Sequence, residues 1–245
     1  MGQEMLRDKI ALVTGGSGGI GRVMVRRLAA VGCHVAVGYA SNADAANQAV
    51  SDATELGVRA IALQADLSDP DAVTSLACRA SAELGAVDVL VPNAGISVPT
   101  DLAGVDLELW QRALAVNLTA PFLLAQHLVP GMAERGFGRV LFTSSVAAFT
   151  GGVVGPHYAA SKAGLHGLVH WLASTYAAAG VTVNAVAPAL VGGTEMMPAD
   201  EQDIGRVPVG RFATTEEIAD LAITMLSNGY LTSKIYLLDG GIYPH

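Results

Sequence analysis

Charge is scarce in this chain. Only 15% of its 245 residues are charged, and Asp and Glu outnumber Lys and Arg by 22 to 14, leaving a net charge of -8. No run of Lys and Arg offsets that sign. A nucleic-acid backbone would be repelled, so no nucleic-acid partner is expected. Cysteine is nearly absent. Cys33 and Cys78 stand far apart and make no metal-binding or redox spacing, so reduced thiols in a cytoplasmic protein are expected. No apolar run reaches the ~20 residues of a membrane span without Gly, Pro or polar breaks. No basic segment followed by an apolar core opens the chain, so neither membrane nor signal peptide is expected. Repeats, linkers and low-complexity tracts are also missing.

What is abundant is apolar sequence, at 51%, and glycine, at 28 residues. That balance suits buried parallel strands joined by glycine-bearing turns. Short apolar runs read as strands at 10–13, 33–37, 58–64, 87–91, 139–143, 181–186 and 235–238. Helical patterns separate them, at 22–30, 44–56, 69–84, 106–135, 158–179 and from Thr214 or Thr215 to Leu226. Strand and helix alternate throughout. The expected fold is α/β: a single domain over 1–245, with a doubly wound (Rossmann) parallel sheet of about seven strands and helices on both faces.

The first strand runs into Thr14-Gly15-Gly16-Ser17-Gly18-Gly19-Ile20-Gly21 and then a helix. Strand, glycine turn, helix is the context of a dinucleotide-binding turn. Glycines let the backbone approach a pyrophosphate, and the helix N-terminus offers free N–H groups. A nucleoside-triphosphate loop would continue Gly-Lys-Ser/Thr; Arg22 follows Gly21 and excludes it. The second strand ends in Tyr39, Ala40, Ser41 and Asn42, with no acidic residue before Asp44. An NAD site would place a carboxylate here on the ribose 2′-hydroxyl. Ser41 and Asn42 offer hydrogen bonds to a 2′-phosphate instead, with Arg22 or Arg59 as candidate cations. NADP(H) is therefore expected over NAD(H). Asp66 and Leu67 follow the third strand, Asp66 either capping the next turn or meeting the adenine amino group. The small residues of Asn93-Ala94-Gly95 suit close backbone approach to a ligand.

Tyr158 and Lys162 are four residues apart on a helix, so both side chains point the same way. An adjacent ammonium is expected to lower the phenol pKa from its usual ~10 and make a proton donor or acceptor. Ser145 stands at the C-terminal end of the fifth strand, where ligands sit in open parallel sheets. Asn117 is a poor helix former set inside a helix.

Taken in order, these residues resemble the short-chain dehydrogenase/reductase family, and within it the 3-oxoacyl acyl-carrier-protein reductase type. The match runs from Lys9 to Gly241. It is carried by Thr14, Gly15, Gly19 and Gly21, by Asp66, Asn93-Ala94-Gly95, Asn117, Ser145, Tyr158 and Lys162, and by Asn184 to Pro188, Val209-Gly210-Arg211-Phe212 and Leu238-Asp239-Gly240-Gly241. The resemblance implies that Tyr158 is the acid/base and that Lys162 lowers its pKa and holds the nicotinamide ribose. It implies that Ser145 hydrogen-bonds the substrate oxygen and that Asn117 holds a water linking Lys162 to solvent. Pro188 and Val191 fall to the carboxamide end of the cofactor. A homotetramer or homodimer is implied through the helices around Asn117 and Tyr158 and the C-terminal strand; the apolar face of Leu165, Leu168, Val169 and Leu172 suits such a contact or ordinary core.

The chain departs from that pattern at Pro92, at Ala189, and in a shortened segment between Leu226 and Ile235 that is expected to alter the substrate wall. His166 and His170 are spaced like a metal pair, but no acidic residue accompanies them and no metal is expected. His157 is a candidate for the pocket lining or a loop cap. Residues 151–157, 96–102 and 196–209 are expected to wall the substrate pocket, with a lid around 190–210. Val153, Val154, Leu190, Met196 and Met197 make it apolar. A ketone or secondary alcohol is the expected substrate, free or linked to an acyl carrier. The alternative is a non-catalytic dinucleotide sensor on the same fold.

Overall fold

A computed structural model describes residues 3–194, 204–205 and 207–243. Seven strands form one sheet: β1 (Ile10–Thr14), β2 (His34–Tyr39), β3 (Ala60–Gln64), β4 (Val89–Val91), β5 (Gly138–Thr143), β6 (Val181–Pro188) and β7 (Ile235–Leu238). Their spatial order is β3-β2-β1-β4-β5-β6-β7, and every pairing is parallel. The chain winds outward from β1 in one direction and from β4 in the other. The crevice between β1 and β4, at their carboxyl ends, is where such a sheet receives a ligand.

Helices cover both faces: α1 (Gly19–Ala30), α2 (Ala43–Glu55), α3 (Pro70–Leu84), α4 (Leu107–Leu114), α5 (Ala120–Glu134), α6 (Ala147–Thr150), α7 (Pro156–Tyr176) and α8 (Thr215–Leu226). Alternate strand residues feed two cores. Leu12, Leu90, Val140 and Phe142 pack with α3, α5 and α7. Ala11, Val13, Val89 and Leu141 pack with α1, α2 and α8. Burial on both faces explains why the strands read as continuous apolar runs.

The helix starts follow local chemistry. Asn42 caps α2 by accepting from Ala45 N at 3.0 Å, and Asp106 caps α4 by accepting from Leu109 N at 2.7 Å. Asp69 caps α3, with Pro70 in its first turn. Thr214 and Glu217 form a reciprocal capping box on α8.

The stretch 106–135 is one continuous helical run with a π turn, Ala115–Thr119, between α4 and α5. By length and composition Leu107–Glu134 could cross a membrane, yet half of its most apolar window is buried inside the fold. Pro121 accounts for the widening. It has no N–H for the carbonyl of Asn117, and its ring would clash with that carbonyl in a regular helix. On α7, Leu165, Val169 and Leu172 belong to the core, so the apolar stripe expected at a subunit contact is mostly interior. Trp171 is the large apolar residue of that helix that stands exposed. The short segment after α8 joins the amino end of β7 and is pinned there by Asn184, which donates to Leu231 O and accepts from Lys234 N. It lies at the end of the sheet opposite the crevice, so its length does not shape the substrate wall as the sequence suggested.

Candidate active site

One cleft of about 1050 Å³ runs along the carboxyl ends of the strands. Every cofactor residue singled out from the sequence lines it: Gly15, Ser17, Gly19, Ile20, Gly21, Tyr39, Ala40, Ser41, Asn42, Asp66, Leu67, Asn93, Ala94, Gly95, Tyr158, Lys162, Pro188 and Val191. Ser145 lines it too; Asn117 does not.

The glycine turn is built for close approach. Gly15 adopts φ +64°, and a Cβ there would lie 2.9 Å from Ala94 Cα. A Cβ on Gly21 would run into the Gly15 carbonyl, so only glycine lets α1 start against the turn. Gly18 precedes α1 without any capping side chain. The first N–H groups of α1 therefore open toward the cleft with the positive end of the helix, which suits a pyrophosphate. Thr14 Oγ1 accepts from Asn93 N and Ala94 N, each at 3.1 Å, and ties the turn to the end of β4.

In the turn after β3, Asp66 accepts from Ser68 N at 2.8 Å and Ser68 Oγ at 2.7 Å. Those bonds hold its carboxyl below the usual range. The residue thus caps its turn and faces the cleft at once. Neither arginine offered from the sequence reaches the 2′ edge. Arg22 pairs with Asp52 at 3.0 Å, and Arg59 precedes β3 and donates to Leu84 O. Arg112 of α4 lines the cleft instead, near enough to Asp66 to act on its charge. Sequence reasoning missed it because nothing local shows which face of α4 turns inward.

Ser145, Tyr158 and Lys162 converge where β5 and α7 meet. Tyr158 is 7% exposed and hydrogen-bonded to Ser145. Lys162 is 3% exposed; its Nζ donates to Thr143 O at 2.8 Å and lies 5.8 Å from the Tyr158 ring centroid. Burial pushes Lys162 down to about 8. Burial also raises the Tyr158 phenol, and the Ser145 hydrogen bond opposes that rise. This corrects the expectation that Lys162 lowers the phenol. The ammonium lies over the ring and is held by a carbonyl, so desolvation governs the phenol and Ser145 supplies the lowering.

Asn117 is fully buried behind this group. Its side chain accepts from Ile96 N at 2.8 Å and donates to Ile96 O and Ser161 Oγ, both at 3.0 Å. The amide clamps the loop after β4 to α7. Pro121, four residues on, has no N–H to offer the main-chain carbonyl of Asn117. Gly95 makes the crowding tolerable: a Cβ there would sit 3.2 Å from Asn117 Oδ1 and 3.3 Å from Lys162 Nζ.

The expected substrate wall brings apolar side chains to the same cleft. Ile96, Val98, Val153, Val154 and Leu190 line it as expected, and so does Ile242, which the sequence did not flag. Met196, Met197 and most of the expected lid lie outside the described residues. His157 is 1% exposed, does not line the cleft, and has no hydrogen-bond partner on either ring nitrogen among the described residues. His166 and His170 bond Ser144 and Ser233. Among the described residues no group of three His, Cys, Asp or Glu is placed to hold a metal, and both cysteines are free thiols.

Residues 9–205 match the family model described as short chain dehydrogenase. A 3-oxoacyl acyl-carrier-protein reductase from Escherichia coli is 38% identical over 242 residues, covering 96% of this chain and 97% of its own. A cis-4-hydroxycyclohexanecarboxylate dehydrogenase from Sinomonas cyclohexanicum is 37% identical over 249 residues, covering 97% and 98%. Among solved structures, a blue fluorescent protein from a metagenomic library in complex with NADPH superposes with a TM-score of 0.91 at 36% identity. It covers 98% of this chain and 99% of its own. The chain belongs to the short chain dehydrogenase family and is an NAD(P)-dependent oxidoreductase.

Proposed function

We propose that the protein interconverts an apolar ketone and its secondary alcohol, with NADP(H) preferred over NAD(H) and Tyr158 as the acid/base. The observation that carries this reading is the meeting of Tyr158, Ser145 and Lys162 at one end of a cleft whose other end is an uncapped helix N-terminus. When bound, the nicotinamide supplies or accepts the hydride, which no side chain can do. The turn at 14–21 and the N-terminus of α1 hold the pyrophosphate, and Asp66 and Leu67 the adenine side. Ser145 donates to the substrate oxygen as negative charge develops there. Tyr158 gives that oxygen its proton in reduction and takes it back in oxidation. Lys162 holds the ribose hydroxyls, and the Asn117 carbonyl carries the water through which protons return.

The preference for NADP(H) rests on the end of β2. Ser41 and Asn42 line the cleft there, and the nearest carboxylate in sequence, Asp44, lies inside the first turn of α2. The apolar wall around Val153, Val154 and Ile242 favours an alkyl, alicyclic or 3-oxoacyl substrate, free or carrier-linked. A screen of ketones run with NADPH and NADH in parallel tests both points. At least tenfold higher kcat/KM with NADPH on an uncharged ketone is expected. Equal or better turnover with NADH overturns the cofactor preference. Tight cofactor binding with no absorbance change on any ketone or alcohol points to a sensor instead.

A further inference from the structure

We propose that His166 is a positioning residue which, through Ser144, fixes Ser145 against Tyr158. The inference rests on the roles proposed above for Ser145 and Tyr158. Ser145 lies beyond the end of β5, which stops at Thr143, and its backbone leads at once into the four-residue helix α6. On its C-terminal side Ser145 is held by Ala147 N, which donates to its Oγ at 3.2 Å, and by Val146 N, which donates to Pro188 O at 2.9 Å. Its neighbour Ser144 is anchored on two sides. Ser144 N donates to Val186 O at 2.8 Å. Ser144 Oγ donates to Lys162 O at 3.3 Å and lies 2.9 Å from His166 Nε2.

A serine hydroxyl has one proton. With that proton on the Lys162 carbonyl, His166 Nε2 must carry the hydrogen that fills the second contact. Burial pushes His166 below the usual histidine range, so the ring is neutral at neutral pH and can hold that tautomer. The result is a chain from Nε2–H to Oγ–H to the carbonyl of Lys162. It ties the backbone beside Ser145 to the helix that carries Tyr158 and Lys162. His166 sits two turns beyond Tyr158, rotated by about 80° on a helix of 3.6 residues per turn, which turns it from the cleft toward Ser144.

The ring is held from its other side as well. Phe149 of α6 lies 4.8 Å from it, centroid to centroid, and Phe149 in turn lies 6.2 Å from Tyr243. Tyr243 N and Gly241 N both donate to the Asp239 carboxylate, and Ile242 between them lines the cleft. His166 therefore joins Ser144, α6 and the segment bearing the Ile242 wall. A displaced Ser145 costs rate rather than cofactor affinity, because misplacement by about 1 Å can cost as much as 100-fold.

The test uses His166→Phe, which keeps a ring against Phe149 and cannot donate, and Ser144→Ala, which removes the same bond from the other side. His166→Gln can still donate to Ser144. NADPH oxidation is followed with ethyl acetoacetate and cyclohexanone. In parallel, the Cζ resonance of Tyr158 is read in protein carrying isotope-labelled tyrosine, assigned with Tyr158→Phe. His166→Phe and Ser144→Ala should each lower kcat about tenfold with the cofactor KM within about twofold, and the double variant should be no slower than either. His166→Gln should recover most of the loss. The Tyr158 resonance should move in both single variants in the direction it moves in Ser145→Ala. Wild-type kcat in either single variant, or losses that multiply in the double variant, overturns the proposal. If the wild type reduces neither ketone, the proposed activity fails on these probes while the resonance still decides: a displaced signal supports the role of His166, and an unmoved one overturns it. Should His166→Phe fail to fold, Ser144→Ala carries both readouts alone.

Discussion

Lys162 is the residue on which burial acts most plainly. Its ammonium has a carbonyl for a partner and no carboxylate, and it is pushed from 10.5 to about 8. Between those values the unfolded chain holds a proton that the folded chain has released. Stability therefore rises with pH across that window, and the contribution is smallest below about 8, where the buried group must carry charge. Tyr158, raised by burial, works the other way above pH 10, where the unfolded chain loses its proton first. Urea unfolding at pH 8 and pH 9.5 checks this. The wild type should gain stability relative to Lys162→Met on going to the higher pH; a constant difference contradicts it. Ser145→Ala removes both the donor to the substrate and the bond that lowers the phenol, so kcat should fall about 100-fold with cofactor affinity unchanged. The Tyr158–Lys162 pair was legible because helical spacing alone puts both on one side. The balance of their pKa values was not, because it depends on Thr143 and Ser145, which come from another element. Arg112, Ile242 and the Ser144–His166 bond were hidden for the same reason.

Among the elements, α1 and α8 show how much local sequence decides. Gly21, in the first turn of α1, packs against the Gly15 carbonyl. Gly21→Ala should push the helix off the turn, weakening NADPH binding tenfold or more in a fluorescence titration; unchanged affinity contradicts the close packing. Thr214 and Glu217 cap α8, and Arg211 pairs with Glu217 at 2.6 Å, holding its carboxyl down at about 2. Thr214→Ala should cost about 1 kcal/mol and lower Tm by about 2–4 °C in a thermal melt, without touching kcat. These caps could be read from residue type and spacing. The π turn at Ala115–Thr119 could not be placed, although Pro121 was the signal for it. The helix α6 went unseen because four residues are too few for a periodic pattern.

At the scale of the whole molecule, parallel strand order turns a linear list of motifs into one cleft. The glycine turn follows β1, Asp66 follows β3, Asn93 follows β4 and Ser145 follows β5, so all arrive at the same edge of the sheet. That convergence was legible in the sequence, since strand–helix alternation forces it. The outer surface was less so. Leu107 and Phe122 on the α4–α5 run, Trp171 on α7 and Tyr236 on β7 are exposed, whereas three of the four α7 residues expected at a contact are core. These exposed apolar side chains lead us to expect a homodimer or homotetramer; sedimentation as a monomer at micromolar concentration contradicts that expectation.

The central claim is that one phenol moves the proton, and Tyr158→Phe tests it most directly. The variant keeps the ring and loses only the hydroxyl. NADPH turnover on a ketone accepted by the wild type should fall by a factor on the order of 100 to 10,000 while the Kd for NADPH stays within about twofold. Turnover at the wild-type rate would contradict the account.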